Sequence, residues 1–324
     1  MKHLLPYFFP TTVALIDDDE LFLNSLKLRL EAEDNFCQTF SQPLVALQKL
    51  AQYSSMARDN VLNNLREEDI QEANKLVTSF DLTKIYQLMY HAKRFAEVGV
   101  LVIDYTMPKM KGLELCEKLN HLPYKKILLT GDADQNLAVE AFNKGIIDRY
   151  IKKNADQDVV LLQYICELQQ EYFYNVTRDG MALIEKKAPY LRDSLFLELF
   201  EKTLRAKNCR EYYLIEPSGS YLMLDGKGHV HAFIVKSASE IAGYIEFVEE
   251  NDDIPEEILK CLRAKTHMLF FFGDFNGKNW QDCLYPMEKL SLAEEEVYYA
   301  KIENFRSSEL KAEKISTWRK YRSE

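Results

Sequence analysis

No stretch of the 324-residue chain approaches the roughly 18 uninterrupted apolar residues of a membrane-spanning helix, so insertion into a bilayer is not expected. Cysteine is sparse and scattered: Cys37, Cys116, Cys166, Cys209, Cys261 and Cys283 form no C-x-x-C pair and no dense framework. They read as reduced, mostly buried thiols of a cytoplasmic protein. Positive charge is in deficit, with 41 Lys and Arg against 51 Asp and Glu and a formal net charge of −10. Such a surface opposes the clustered basic footprint that displaces counterions from nucleic acid, which demotes nucleic acid as a partner. A cleavable leader is not expected either. The opening MKHLLPYFFPTTVALIDDDE is apolar with a basic start, but Pro6 and Pro10 interrupt it and it ends in acids without a small-residue cleavage site.

What is present fills a globular fold. The length exceeds one compact core, and two domains are the starting expectation. TVALI (12–16), FCQTF (36–40), VGVLVI (98–103), YKKILLT (124–130) and DRYIKK (148–153) read as strands. Helical patterns separate them: residues 20–30, capped by Asp18 or Asp19, then QPLVALQKL with Pro43 in its first turn, 111–120, and 134–144 closing on Gly145. Strands of near-continuous apolar content alternating with helices predict a parallel sheet buried on both faces.

Between Leu50 and Val98 the rhythm breaks, in a segment of charged, leucine-spaced helical character that includes VLNNLREEDIQEANKLVTSF. Asp81 begins a further helical stripe of Leu82, Ile85, Met89 and Ala92. Helices packed on their own domain and a dimerisation arm are both compatible with this insertion.

In an open parallel sheet, ligand-binding side chains gather beyond the carboxyl ends of the strands, where the winding reverses. That rule collects Asp17 and Asp18 after the first strand, Asp104 after the third, Thr130 after the fourth and Lys153 after the fifth. Carboxylates held together repel unless a cation intervenes. Mg2+ suits them, because it takes one or two carboxylates and keeps sites for water and phosphate oxygens. A carboxylate is an acceptable nucleophile for phosphoryl transfer, and the transferred group needs an ammonium and a hydroxyl around its oxygens. Asp104, Lys153 and Thr130 supply those three functions.

As an ordered set, LIDDDE, DYTMPKMKGLEL, ILLTGDAD and NKGIIDRYIKK over about the first 155 residues resemble the receiver domains of two-component response regulators. The resemblance implies a flavodoxin-like, doubly wound, five-stranded parallel receiver enlarged by a helical insertion at about 51–97. It also implies that Asp104 accepts phosphate from a histidine kinase or phosphotransfer protein. Mg2+ would be held by Asp18 and Asp104, by the backbone carbonyl of Thr106 and, through water, by Asp17. Thr130 and Tyr150 take the switch positions. Lys153 is preferred to Lys152 because it stands three residues after Tyr150, although Asn154 follows it where receivers usually place proline.

A helical connector is expected over 156–190 and an α+β output domain over 191–324, with REYYLI, SYLMLD and HVHAFIV forming a meander joined by EPSGS and DGKG turns. Helices at 237–250 and 255–264, strands HMLFFF and VYYAKIENF, and a charged, frayed tail from about 306 complete it. His229 and His231 alternate on one strand, which reads as a solvated face more readily than as a metal pair.

This half lacks a basic helix-turn-helix, a Gly-Gly-acidic cyclase motif, EAL or HD phosphodiesterase motifs and kinase elements. By elimination it is an interaction or small-ligand module, and the chain is not expected to be an enzyme beyond its own phosphoryl transfer. An enlarged receiver with such a module resembles quorum-sensing response regulators of the Lqs type, which implies signalling in density or growth-phase control. The partners so implied are the phosphodonor, a second copy of the chain on phosphorylation, and an unnamed output partner or small ligand. A phosphorylation-independent scaffold and a nucleotide-binding or enzymatic output domain are the alternatives.

Overall fold

The computed structural model describes residues 3–53, 55, 81–131, 135–153, 157–250, 254–273, 279–293 and 295–323. The helical segment expected at 61–80, the residues after Thr130 in ILLTGDAD beyond Gly131, and Asn154 lie outside these residues. The chain divides into two compact units, one from Phe9–Asn60 with Ala92–Arg178, the other from Met1–Phe8, Val61–His91 and Asp179–Glu324.

After the short strand β1 (Tyr7–Phe8), which belongs to the second unit, the first unit begins with β2 (Thr12–Ile16), helix α1 (Glu20–Ala32), β3 (Phe36–Phe40) and α2 (Pro43–Leu50). Asp19 is the cap of α1, its carboxylate accepting from the amides of Leu21 and Phe22 at 2.9 and 3.0 Å. Beyond α3 (Leu82–Gln87), which belongs to the second unit, come β4 (Val98–Asp104), α4 (Gly112–Lys118), β5 (Lys125–Thr130), α5 (Gln135–Asn143) and β6 (Arg149–Lys152). The five strands form one parallel sheet in the order β3-β2-β4-β5-β6, the doubly wound architecture expected from the sequence.

Strand alternation sorts the core into two layers. Ala14, Ile16, Leu101, Ile103 and Leu128 pack against α2, α4 and α5 through Ala46, Leu115 and Ala138. Val13, Leu15, Val100, Val102, Ile127 and Leu129 pack against Leu23, Leu26 and Leu30 of α1 and against Leu161, Ile165 and Leu168. The last three lie on α6 (Gln157–Lys187), a single helix of 31 residues that runs through the expected connector.

The second unit is built on a six-stranded antiparallel sheet in the order β1-β7-β8-β9-β13-β12, from β7 (Cys209–Glu216), β8 (Ser220–Asp225), β9 (Val230–Ser237), β12 (Glu288–Ser291) and β13 (Glu296–Ile302) besides β1. Helix α7 (Ser194–Ala206) lays Phe200 on Tyr212, Tyr221 and Phe233 of one sheet face, with ring centroids 4.8 to 5.7 Å apart. Helices α8 (Ala238–Glu249) and α9 (Glu256–Arg263) share a smaller core with the ribbon β10 (His267–Leu269) and β11 (Leu284–Pro286).

Two expectations are corrected here. The tail from 306 does not fray within the described residues: Leu310, Ile315 and Trp318 are buried, the Ser316 amide donates to the Met89 carbonyl at 3.1 Å, and α10 (Trp318–Ser323) ends the chain's regular structure. Apolar anchors outweigh the charges between them. The described end of the insertion, 81–91, groups with the second unit, where Tyr86 meets Phe272 edge-on at 5.1 Å. His231 does not lie on a solvated face, because β9 turns it with Phe233 toward α7 and leaves it 9 % exposed. His229 alone is exposed, its Nδ1 2.9 Å from the Asp225 carboxylate. Among the described residues no helix is long and apolar enough to cross a membrane.

Candidate functional site

The strand order reverses at β2, so the crevice lies beyond the carboxyl ends of β2 and β4. Asp17 follows β2 and Asp104 ends β4, both nearly enclosed at 3 % and 6 % exposure, while Asp18 is exposed. Ligand oxygens of Asp17, Asp18 and Asp104 all lie within 4.8 Å of one another. Lys153, one residue past β6, places Nζ 2.7 Å from Asp17 Oδ2 and 2.7 Å from Asp104 Oδ1. Its own amide donates to the Thr130 carbonyl at 2.9 Å, which ties the ends of β5 and β6.

The remaining carboxylate oxygens are oriented by backbone amides. Asp17 Oδ1 accepts from the Asp19 amide and Asp104 Oδ2 from the Thr106 amide, each at 2.9 Å. Burial pushes the Asp104 carboxyl above the ordinary aspartate range; hydrogen bonds from Lys153 and Thr106 pull against that, and the Asp17 charge adds to it. For Lys153 burial alone disfavours the ammonium, but its bonds to Asp104 and Asp17 prevail and its pKa is raised. The ammonium therefore carries the cationic role between two carboxylates, and the exposed Asp18 leaves a side from which a hard ion can approach. Three carboxylate oxygens at this spacing suit such an ion.

The loop after Asp104 turns in a way that only glycine permits. A Cβ on Gly112 would lie 2.0 Å from the Asp104 carbonyl oxygen, and the Gly112 amide bonds to the Tyr105 carbonyl at 2.9 Å. Lys109 takes a φ of 70° in the same loop. Thr106 is exposed, and Thr130 is buried at the end of β5. Tyr150 pairs with Leu128 in the ladder, so Tyr150 and Thr130, two residues on, share the sheet face that carries α4 and α5. Half-buried, Tyr150 meets Phe142 edge-on at 6.4 Å. Lys152 is exposed and alternates to the opposite side of the strand from Lys153. Sequence reasoning passed over Phe22, whose ring lies 4.4 Å below the Lys153 ammonium; its place in the first turn of α1, beside the acid pair, was the available signal.

This geometry meets three findings from known proteins. Residues 56–165, which include Asp104, Thr130, Tyr150 and Lys153 but begin after Asp17 and Asp18, match the family described as the response regulator receiver domain. A 65-residue stretch is 40 % identical to the transcriptional regulatory protein FixJ of Rhizobium meliloti (strain 1021); it covers 19 % of this chain and 31 % of that relative's length. The first unit thus has the receiver fold, and residues 56–165 match the receiver domain of two-component response regulators, a class of signal-transduction protein. The chain as a whole is similar to the Legionella pneumophila response regulator LqsR, at 29 % identity and a TM-score of 0.78, covering 99 % of this chain and 96 % of that one.

Proposed function

We propose that the chain is a phosphorylation-switched response regulator whose phosphoacceptor is Asp104. The observation that supports this reading most is the Lys153 ammonium held 2.7 Å from both Asp17 and Asp104 at the switch point of the sheet. In the reaction an Asp104 carboxylate oxygen attacks the phosphorus of a phosphohistidine on a kinase or phosphotransfer protein. The O–P bond forms as the P–N bond breaks, and the electron pair leaves with the imidazole, which a proton then neutralises. Lys153 follows the negative charge from the carboxylate to a phosphoryl oxygen, and the Thr130 hydroxyl donates to another. Mg2+, held by Asp17, Asp18, Asp104 and the Thr106 carbonyl, would neutralise the remaining charge on the phosphoryl oxygens.

The switch follows from the loss of one carboxylate contact. With Thr130 drawn toward the new phosphoryl group, Tyr150 on the same face repacks, and the surface of β5, β6 and α5 changes what it can bind. We assign a second copy of the chain as the first partner of that surface, and the antiparallel unit as the output module. The similarity to LqsR favours a quorum-sensing role, and a cytoplasmic location belongs to the same proposal. Light scattering of the protein with and without beryllofluoride and Mg2+ tests the switch: a shift from monomer to dimer is expected. An unchanged mass, with unchanged spectra at Tyr150, would favour a constitutive scaffold.

A further inference from the structure

Beneath the carboxyl-terminal half of α7 the antiparallel unit holds a cleft of about 250 Å3 that the phosphoryl chemistry does not use. Its floor is the sheet face bearing the cross-strand partners Met223 and His231, with Tyr299 and Lys301 beside them, and Leu199 and Lys202 overhang it from α7. His231 is more than nine-tenths buried, and its Nε2 has no hydrogen-bond partner. The Asn304 amide donates to Nδ1 at 3.5 Å, so the neutral ring carries its proton on Nε2 as an unused donor. Burial lowers the pKa of this imidazole, which favours that neutral form.

The charges around the cleft nearly cancel. Glu288 accepts from Lys301 at 3.2 Å and from the Tyr299 hydroxyl at 2.7 Å, and Glu303 pairs with Lys207. Lys202 has no acidic partner among the described residues. The surplus is one positive charge at the rim above one buried N–H donor and an apolar floor. We propose that this cleft binds a small organic monocarboxylate, its compact apolar body against Leu199 and Met223 and its carboxylate between His231 Nε2 and Lys202 Nζ. A dianionic phosphate exceeds the surplus charge, and the cleft is smaller than the roughly 300 to 1,000 Å3 of pockets that enclose drug-sized ligands, which favours a small body over a nucleotide.

The test titrates hexanoate into the full chain labelled with 15N-histidine and follows His231 Nε2, identified by its loss in His231→Gln. Saturable movement of that resonance is expected, with hexanoate affinity by calorimetry reduced about fivefold or more in Lys202→Met, where a charge-assisted contact is lost. His231→Gln, which keeps a donor, should retain most of the affinity, and His231→Leu should lose it. The proposal is overturned if hexanoate does not move His231, if 1-hexanol or inorganic phosphate binds as tightly, or if the surface variant Lys202→Met binds hexanoate like the parent. None of these readouts depends on phosphorylation of Asp104.

Discussion

The Lys153 Nζ lies 2.7 Å from Asp104 Oδ1, at the end of a different strand 49 residues away in the chain. That ammonium is the group that must leave a carboxylate for a phosphoryl oxygen if the reading is right. Lys153→Met should keep the acid cluster, and with it Mg2+ binding followed by the fluorescence of the protein. Phosphorylation by acetyl phosphate should slow by about 100-fold, the usual cost of removing one preorganised donor from a charge-developing site. Unchanged kinetics would remove Lys153 from the mechanism.

Three consecutive aspartates divide their work. Asp19 caps α1 through two amides, whereas the exposed Asp18 joins the carboxylate cluster. Asp19→Ala should cost about 1 kcal/mol of stability in urea unfolding and leave Mg2+ affinity nearly intact. Asp18→Asn should do the reverse, and identical profiles for the two variants would reject the division.

Asp104 ionises with difficulty because it is buried, its native pKa standing above the ordinary aspartate value. As pH rises the unfolded chain ionises first, so between the two values the native state binds the extra proton and stability falls with pH; above them the cost is constant. In Asp104→Asn that cost is absent. Without metal the variant should melt above the parent at neutral pH, with the gap closing on acidification past the usual aspartate value. Calorimetry at both pH values decides it, and a variant that melts lower at neutral pH contradicts the assignment of the shift.

Gly112 gives the phosphoacceptor loop its shape, since a Cβ there would lie 2.0 Å from the Asp104 carbonyl oxygen. Gly112→Ala should cost about 1–3 kcal/mol in denaturant and weaken acceptance of phosphate as the Asp104 backbone is displaced. A variant with parental stability would show that the loop accommodates the methyl.

The receiver was legible because each of its signals had one physical reading. TVALI and VGVLVI are too apolar for anything but strands buried on both faces, and Asp17 and Asp104 end those strands where an open sheet collects its ligands. Less could be read where pairing is long-range. β1 is two residues set between Pro6 and Pro10, and only Tyr213 and Tyr212 across the ladder reveal it as a strand of the second unit. HMLFFF promised a longer strand than His267–Leu269, and the edge strand β12, EKLS, carries no apolar alternation to mark it. At the site, local sequence could not tell that Asp17 is buried and Asp18 exposed, since that depends on the angle at which α1 leaves β2.

Intact-mass spectrometry of the protein incubated with acetyl phosphate and Mg2+ tests the central claim most directly. The account predicts the gain of one phosphoryl group, mapped to Asp104 and absent both in Asp104→Asn and after chelation of the metal. An undiminished gain in Asp104→Asn would contradict it.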